Sequence, residues 1–166
     1  MPFVLDRRTD DSLALFIDGD LQFDSRDERI YHESFVLPAL ALAEKYGKSL
    51  RVLVLGGGDG LCLREVLKSA KVSHCDLVDY DHLIVEMARS ELAELNSHSL
   101  DDSRVNVVID DAWQFVSDAI GTGIKYDLIL CDLTVPKTID SAWIHSVDFY
   151  ELLHGILGEY GVLAAN

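Results

Sequence analysis

A run of glycines and four acidic residues carry the chemistry that this sequence suggests. "GGGDG", residues 56–60, follows the apolar run "LRVLVL" (50–55) and precedes "LCLREVLKSA" (61–70). Gly56, Gly57 and Gly58 stand where a strand turns into a helix. Glycine there permits positive φ and lets a ligand touch the backbone, and the helix start offers free N–H groups. That pattern means a nearby nucleotide or nucleoside, although a turn built for tight packing reads the same way. Asp59 argues against a pyrophosphate, because a carboxylate repels phosphate and attracts an amine or a sulfonium. Asp79 follows about 20 residues past the glycines, where an acid accepts hydrogen bonds from ribose hydroxyls; a plain strand-end cap is the alternative. Asp111 can meet an adenine amino group or N-cap the helix "AWQF". Asp132 ends a further strand and can equally be a loop acid. Acids at the ends of four strands of one sheet would form an acidic mouth around a positively charged nucleoside. S-adenosylmethionine-like molecules fit that mouth, and dinucleotides fit it less well.

The elements that must position these residues are legible in the periodicity. "LRVLVL" reads as a strand buried on both faces. "HCDLVD" (74–79), "RVNVVI" (104–109), "YDLILCD" (126–132) and "GVLAA" (161–165) are further strands. "LCLREVLKSA", "HLIVEMARSELAEL" (82–95), "AWQFVSDAI" and "SVDFYELLHGIL" are helices between them. Such alternation predicts an α/β fold, a doubly wound Rossmann-like parallel sheet of the methyltransferase type over residues 49–166. Residues 1–48 read as a smaller region: a β-hairpin turning at Asp18-Gly19, then a connecting helix that Pro38 must start or kink. Arg26, Asp27 and Glu28 read as a solvated charge run leading into that helix.

The bulk composition narrows the class. With 166 residues, 49% of them hydrophobic, the chain is one domain's worth of material. Asp and Glu number 29 against 14 Lys and Arg, a net charge of −15. That charge repels nucleic acid and anionic membrane and suits a cationic ligand. Cys62, Cys75 and Cys131 stand far apart, with no metal-binding spacing, and are expected to be buried thiols in a reducing compartment. No apolar run approaches the length of a membrane span and no signal peptide opens the chain, so a cytoplasmic protein without a membrane partner is expected.

The segments "DGDLQFDSRDERIYHE" (18–33), "VLGGGDGLCLREVLK" (54–68), "LVDYD" (77–81), "DDAWQF" (110–115) and "YDLILCDL" (126–133) together resemble the spermidine synthase family of polyamine aminopropyltransferases. Within it they are similar to the soluble domain of the long bacterial members. The resemblance implies transfer of the aminopropyl group of decarboxylated S-adenosylmethionine, a co-substrate, to an amine such as putrescine. Methylthioadenosine is released, and no metal is required. By motif, Gln22 would contact the nucleoside, Asp59 the aminopropyl ammonium, Asp79 the ribose, and Asp111 with the backbone of Ala112 the adenine. Tyr31 and His32 would line the amine site, and Asp132 would accept the amine's proton. Outside this motif, a Tyr-His pair is a packing feature and Gln22 on a strand faces solvent. A homodimer is also implied, with the amino-terminal hairpins at the contact.

Two features depart from the family. Its Asp-x-x-Asp-Pro segment reads "DLTVP" here, so Val135 replaces the second acid and Lys137 adds a positive charge nearby. Losing one carboxylate partner of a cation costs roughly 1.5–3 kcal/mol. Family members also continue past the "GVLAA" strand, so carboxyl-terminal strands are expected to be missing and the fifth strand to present a bare edge. Two other readings stay open: a nucleoside-binding family member without catalysis, and an S-adenosylmethionine-dependent methyltransferase. Asp59 is awkward for the latter, which must receive the cofactor's carboxylate.

Overall fold

A computed structural model describes residues 2–134, 136 and 138–166. The expectations for Val135 and Lys137 lie outside the described residues. The amino-terminal region is a three-stranded antiparallel sheet: β1 (Phe3–Arg7), β2 (Leu13–Ile17) and β3 (Asp20–Asp24). The expected hairpin is β2–β3. Ile17 pairs with Asp20 across a two-residue turn, and both turn residues have positive φ, 50° at Asp18 and 85° at Gly19. This Asp-Gly turn suits the right-handed twist of the strands it joins. β1, a strand beyond the expected hairpin, pairs with β2 in register from Phe3–Ile17 to Arg7–Leu13.

The helix α1 (Glu28–Ala43) rules out one of the two roles expected of Pro38, that of starting the helix. It starts ten residues earlier and carries Pro38 inside it. Pro38 is exposed, so the carbonyl that loses its helical partner can turn to water.

The second sheet is parallel throughout, in the order β6-β5-β4-β7-β8. Its strands are β4 (Leu50–Gly56), β5 (Val72–Asp79), β6 (Val105–Ile109), β7 (Tyr126–Asp132) and β8 (Leu157–Ala165). The helices are α2 (Leu61–Leu67), α3 (His82–Ser90), α4 (Ala112–Ile120) and α5 (Val147–Ile156), with short 3-10 turns at Ser99–Asp101 and Ile139–His145. Period-two alternation sorts β4 onto two cores. Val52 and Val54 pack with α1, α2 and α3, while Leu53 and Leu55 pack with α4 and α5. All four side chains are fully buried, which is why the run shows no polar alternation. The three cysteines are buried free thiols.

Chain order and spatial order part at β4. The chain moves outward from β4 to β5 and β6, then crosses back to lay β7 on the other side of β4. In open parallel sheets this switch point leaves a crevice at the carboxyl ends of the strands. The amino-terminal sheet roofs the crevice. Leu13, Leu15 and Phe23 share an apolar cluster with Leu61 of α2 and with Ile84 and Met87 of α3.

Candidate active site

The glycine loop closes the crevice from below, and its crowding comes from the protein's own acids. A Cβ added to Gly56 would stand 2.2 Å from the carbonyl oxygen of Asp132, the last residue of β7. A Cβ on Gly58 would stand 2.6 Å from Oδ2 of Asp79. No side chain fits at Gly56, where the clash is with backbone and φ is 77°, and one at Gly58 would force the Asp79 carboxylate to shift. The glycines therefore let two strand ends close onto the loop. The Gly58 N–H donates to Asp79 Oδ2 at 2.9 Å, and the Asp81 N–H donates to Asp79 Oδ1 at 2.9 Å.

Above the loop lies a cavity of about 830 Å³. Gln22, Tyr31, His32, Asp59 and Asp132 all line it, as do Gly57, Gly58, Asp111 and Ala112. The two remaining candidates, Gly56 and Asp79, are not among its lining residues: Gly56 is buried under the loop, and Asp79, half-buried at the end of β5, borders the loop at Gly58. Asp111 is exposed and accepts the Gln114 N–H at 3.1 Å, so it is a helix N-cap that also reaches the cavity wall. The Gln22 amide donates to the Asp20 carbonyl at 3.1 Å and is half-buried against the cavity.

Two carboxyls share this space. Asp59 accepts the Leu61 N–H at 2.9 Å at the start of α2. Burial pushes its pKa above the usual carboxylate range, against the lowering effect of His32 and of that hydrogen bond. Asp132 accepts the Tyr31 hydroxyl at 2.8 Å. Burial first, then the charge of Asp59, pushes Asp132 up to about 6, although Tyr31 and His32 work the other way. The Tyr31 phenol is itself raised by desolvation of its hydroxyl and by the Asp132 charge, so it stays a donor. Two acids that desolvate and repel each other form a low-dielectric trap for a cation.

The expectation for Glu28 is overturned. It is 3% exposed and belongs to a buried ion pair with Arg64, which donates to it through Nη1 at 2.8 Å and Nη2 at 2.9 Å. The solvated-run reading failed because Glu28 occupies the inward side of α1, one turn before His32. That i,i+4 spacing was the available signal. Also unforeseen was the wall formed by Thr138, Ser141, Trp143 and Ile144. Its Trp143 packs edge-on against Phe149 at 4.9 Å and against Trp113 at 5.7 Å. A Thr138–Ser141 capping box starts the turn that carries Trp143.

A doubly wound parallel sheet with an acid-lined cavity at its switch point defines a class: Rossmann-like α/β proteins with their ligand crevice at the carboxyl ends of the strands. The particular family follows from similarity. Residues 28–166 match the spermine/spermidine synthase domain. The chain is 43% identical over 151 residues to polyamine aminopropyltransferase 1 of Streptomyces coelicolor, covering 90% of this chain and 27% of that protein. It is 38% identical over 154 residues to the polyamine aminopropyltransferase of Aeropyrum pernix, covering 92% and 48%. A solved spermidine synthase in complex with the transition-state analogue AdoDATO superposes with a TM-score of 0.85 at 30% identity, covering 97% of this chain and 53% of that one. The chain belongs to the spermine/spermidine synthase family, and it spans between about a quarter and a half of the length of these relatives.

Proposed function

We propose that this cavity is the aminopropyl-transfer site of a polyamine aminopropyltransferase. The co-substrate is decarboxylated S-adenosylmethionine and the acceptor is an amine such as putrescine. The observation that carries the proposal is the pairing of Asp59 and Asp132, both with raised pKa, in one cavity with Tyr31 and His32. In this reading Asp59 binds the ammonium of the aminopropyl tail. Gln22 touches the nucleoside, Asp79 takes ribose hydroxyls at the loop's edge, and Asp111 with the Ala112 backbone receives the adenine. Tyr31 and His32 line the amine site.

The chemistry then needs little from the protein. The amine nitrogen attacks the carbon next to the sulfonium, and a nitrogen–carbon bond forms. The carbon–sulfur bond breaks, and its electron pair neutralises the sulfur as methylthioadenosine leaves. The surplus proton passes from the new nitrogen to Asp132. A carboxyl near 6 is ionised at neutral pH yet basic enough to accept that proton. Its neighbour Tyr31 keeps it oriented. Homodimeric assembly and a cytoplasmic location belong to the same proposal and rest on the family resemblance alone.

Thermal shifts with three nucleosides test it. Decarboxylated S-adenosylmethionine should stabilise the protein more than S-adenosylmethionine, whose carboxylate would meet Asp59. A preference for the carboxylated molecule would indicate a methyltransferase. No response to either, nor to methylthioadenosine, would remove the nucleoside reading altogether.

A further inference from the structure

We propose that Arg64 and Glu28 are positioning residues for His32, holding its imidazole so that Nδ1 carries a hydrogen turned into α1 and Nε2 faces the cavity as a hydrogen-bond acceptor for the incoming amine. The role of the amine rests on the proposed aminopropyl transfer; the arrangement of the ring does not.

The geometry fixes the tautomer. His32 Nδ1 lies 2.8 Å from the Glu28 carbonyl oxygen and 2.8 Å from Glu28 Oε2. Both oxygens can only accept, so Nδ1 must donate. Nε2 then holds the free lone pair of the neutral ring. It has no hydrogen-bond partner among the described residues, and the ring lines the cavity shared with Asp59 and Asp132. Tyr31 braces the ring edge-on, with centroids 5.0 Å apart at 88°.

The Glu28 carboxylate, the second acceptor of the ring, is itself held. It is clamped by the planar fork of Arg64, one bond to each oxygen, which fixes its plane as well as its charge. Arg64 is itself held by Glu65 Oε1 at 2.8 Å and by the Leu95 carbonyl at 2.9 Å, and Glu65 also takes the Lys68 ammonium. Glu28, Arg64 and Glu65 are 3%, 5% and 0% exposed. A buried ionic chain of this kind is costly to desolvate and brings little net stability over an apolar replacement. An orienting role for the ring at its end accounts for its presence beside the cavity.

The groups that face His32 are Glu28 and Tyr31 on α1, Asp59 in the glycine loop and Asp132 at the end of β7, with Arg64, Glu65 and Lys68 behind Glu28. Burial alone would lower the His32 pKa; the Glu28 bond and the charges of Asp59 and Asp132 outweigh it and raise it. Burial would likewise raise Glu28, but His32 and Arg64 hold it down at about 2. Glu28 thus stays charged wherever His32 titrates. Above the His32 pKa the neutral ring accepts an N–H from the amine. Below it the imidazolium repels a cationic substrate, so KM for the amine should rise on the acid side.

Nitrogen-15 NMR of the chain gives a test independent of catalysis. The neutral His32 ring should be the Nδ1–H tautomer; the Nε2–H tautomer would overturn the proposal without any substitution. In Glu28→Gln, which keeps an acceptor but removes the charge, the His32 pKa should fall by about one unit or more. The acid limb of KM for putrescine should move by the same amount, while the affinity for methylthioadenosine stays constant. Arg64→Lys, which keeps the charge but not the fork, should move both in the same direction by less. An unchanged His32 pKa in Glu28→Gln would sink the idea. If His32 responds as stated while the unsubstituted chain transfers no aminopropyl group, the reading of the reaction fails and the positioning of the ring stands.

Discussion

Replacing Asp132 by asparagine should stabilise the fold at pH 8 while abolishing aminopropyl transfer. The magnitude follows from the carboxyl's displacement from 3.8 to about 6, at 1.36 kcal/mol per pKa unit, or about 3 kcal/mol. The native state binds the Asp132 proton more tightly than the unfolded chain does. The benefit of that proton is fully present below pH 4 and is lost as pH rises through 6. Above that range the folded protein carries a charge its surroundings disfavour. Asparagine has no charge to desolvate, and its Oδ1 can still accept the Tyr31 hydroxyl that now reaches Asp132 at 2.8 Å. With some allowance for imperfect fit, about 2–3 kcal/mol should be gained, or roughly 4–12 °C in Tm for a domain of this size. Thermal melts of both proteins from pH 4 to pH 8 would read it. The difference in Tm should be near zero at pH 4, grow between pH 4 and 6, and level off above. A variant no more stable than its parent at pH 8, or a gain that persists unchanged at pH 4, would refute the account of Asp132 as a desolvated acid facing Asp59.

Other expectations follow from the same geometry. Gly58→Ala puts a methyl 2.6 Å from Asp79 Oδ2, so Asp79 must give up the Gly58 N–H. Overpacking of this kind costs about 1–3 kcal/mol in denaturant melts, and methylthioadenosine affinity should fall with it. Tyr31→Phe removes a bond that holds the Asp132 pKa down; the acid limb of kcat should move to higher pH. Phe149→Ala deletes a ring that is 1% exposed and backs Trp143. It should cost about 3–5 kcal/mol of stability and raise KM for the amine more than it lowers the affinity for methylthioadenosine.

Much of this molecule follows from local signals. The unbroken apolar run of β4 announces a strand covered on both faces, because such a strand has no solvent side to keep polar. The Asp18-Gly19 dipeptide announces its hairpin, because it takes positive φ at both positions with little strain. The glycines before α2 and the acids ending the strands mark the ligand edge of a parallel sheet. These features depend on neighbours within a few residues, and a reader of the chain can find them.

Long-range contacts decided the rest. Only the return of β7 to the side of β4 opposite β5 brings Asp132 against Gly56 and into one cavity with Asp59, residues some seventy positions away. The position of Asp79 beside Gly58, at the border of the cavity, comes from the parallel pairing of β5 with β4. The same charged stretch, Arg26 to Glu28, divides between surface and interior because α1 lies against α2, and Arg64 is there to meet Glu28. Sequence determined which residues could ionise and which segments would be strands or helices. The tertiary structure decided which of those charges lose their water, and with it their pKa, their partners and their chemistry.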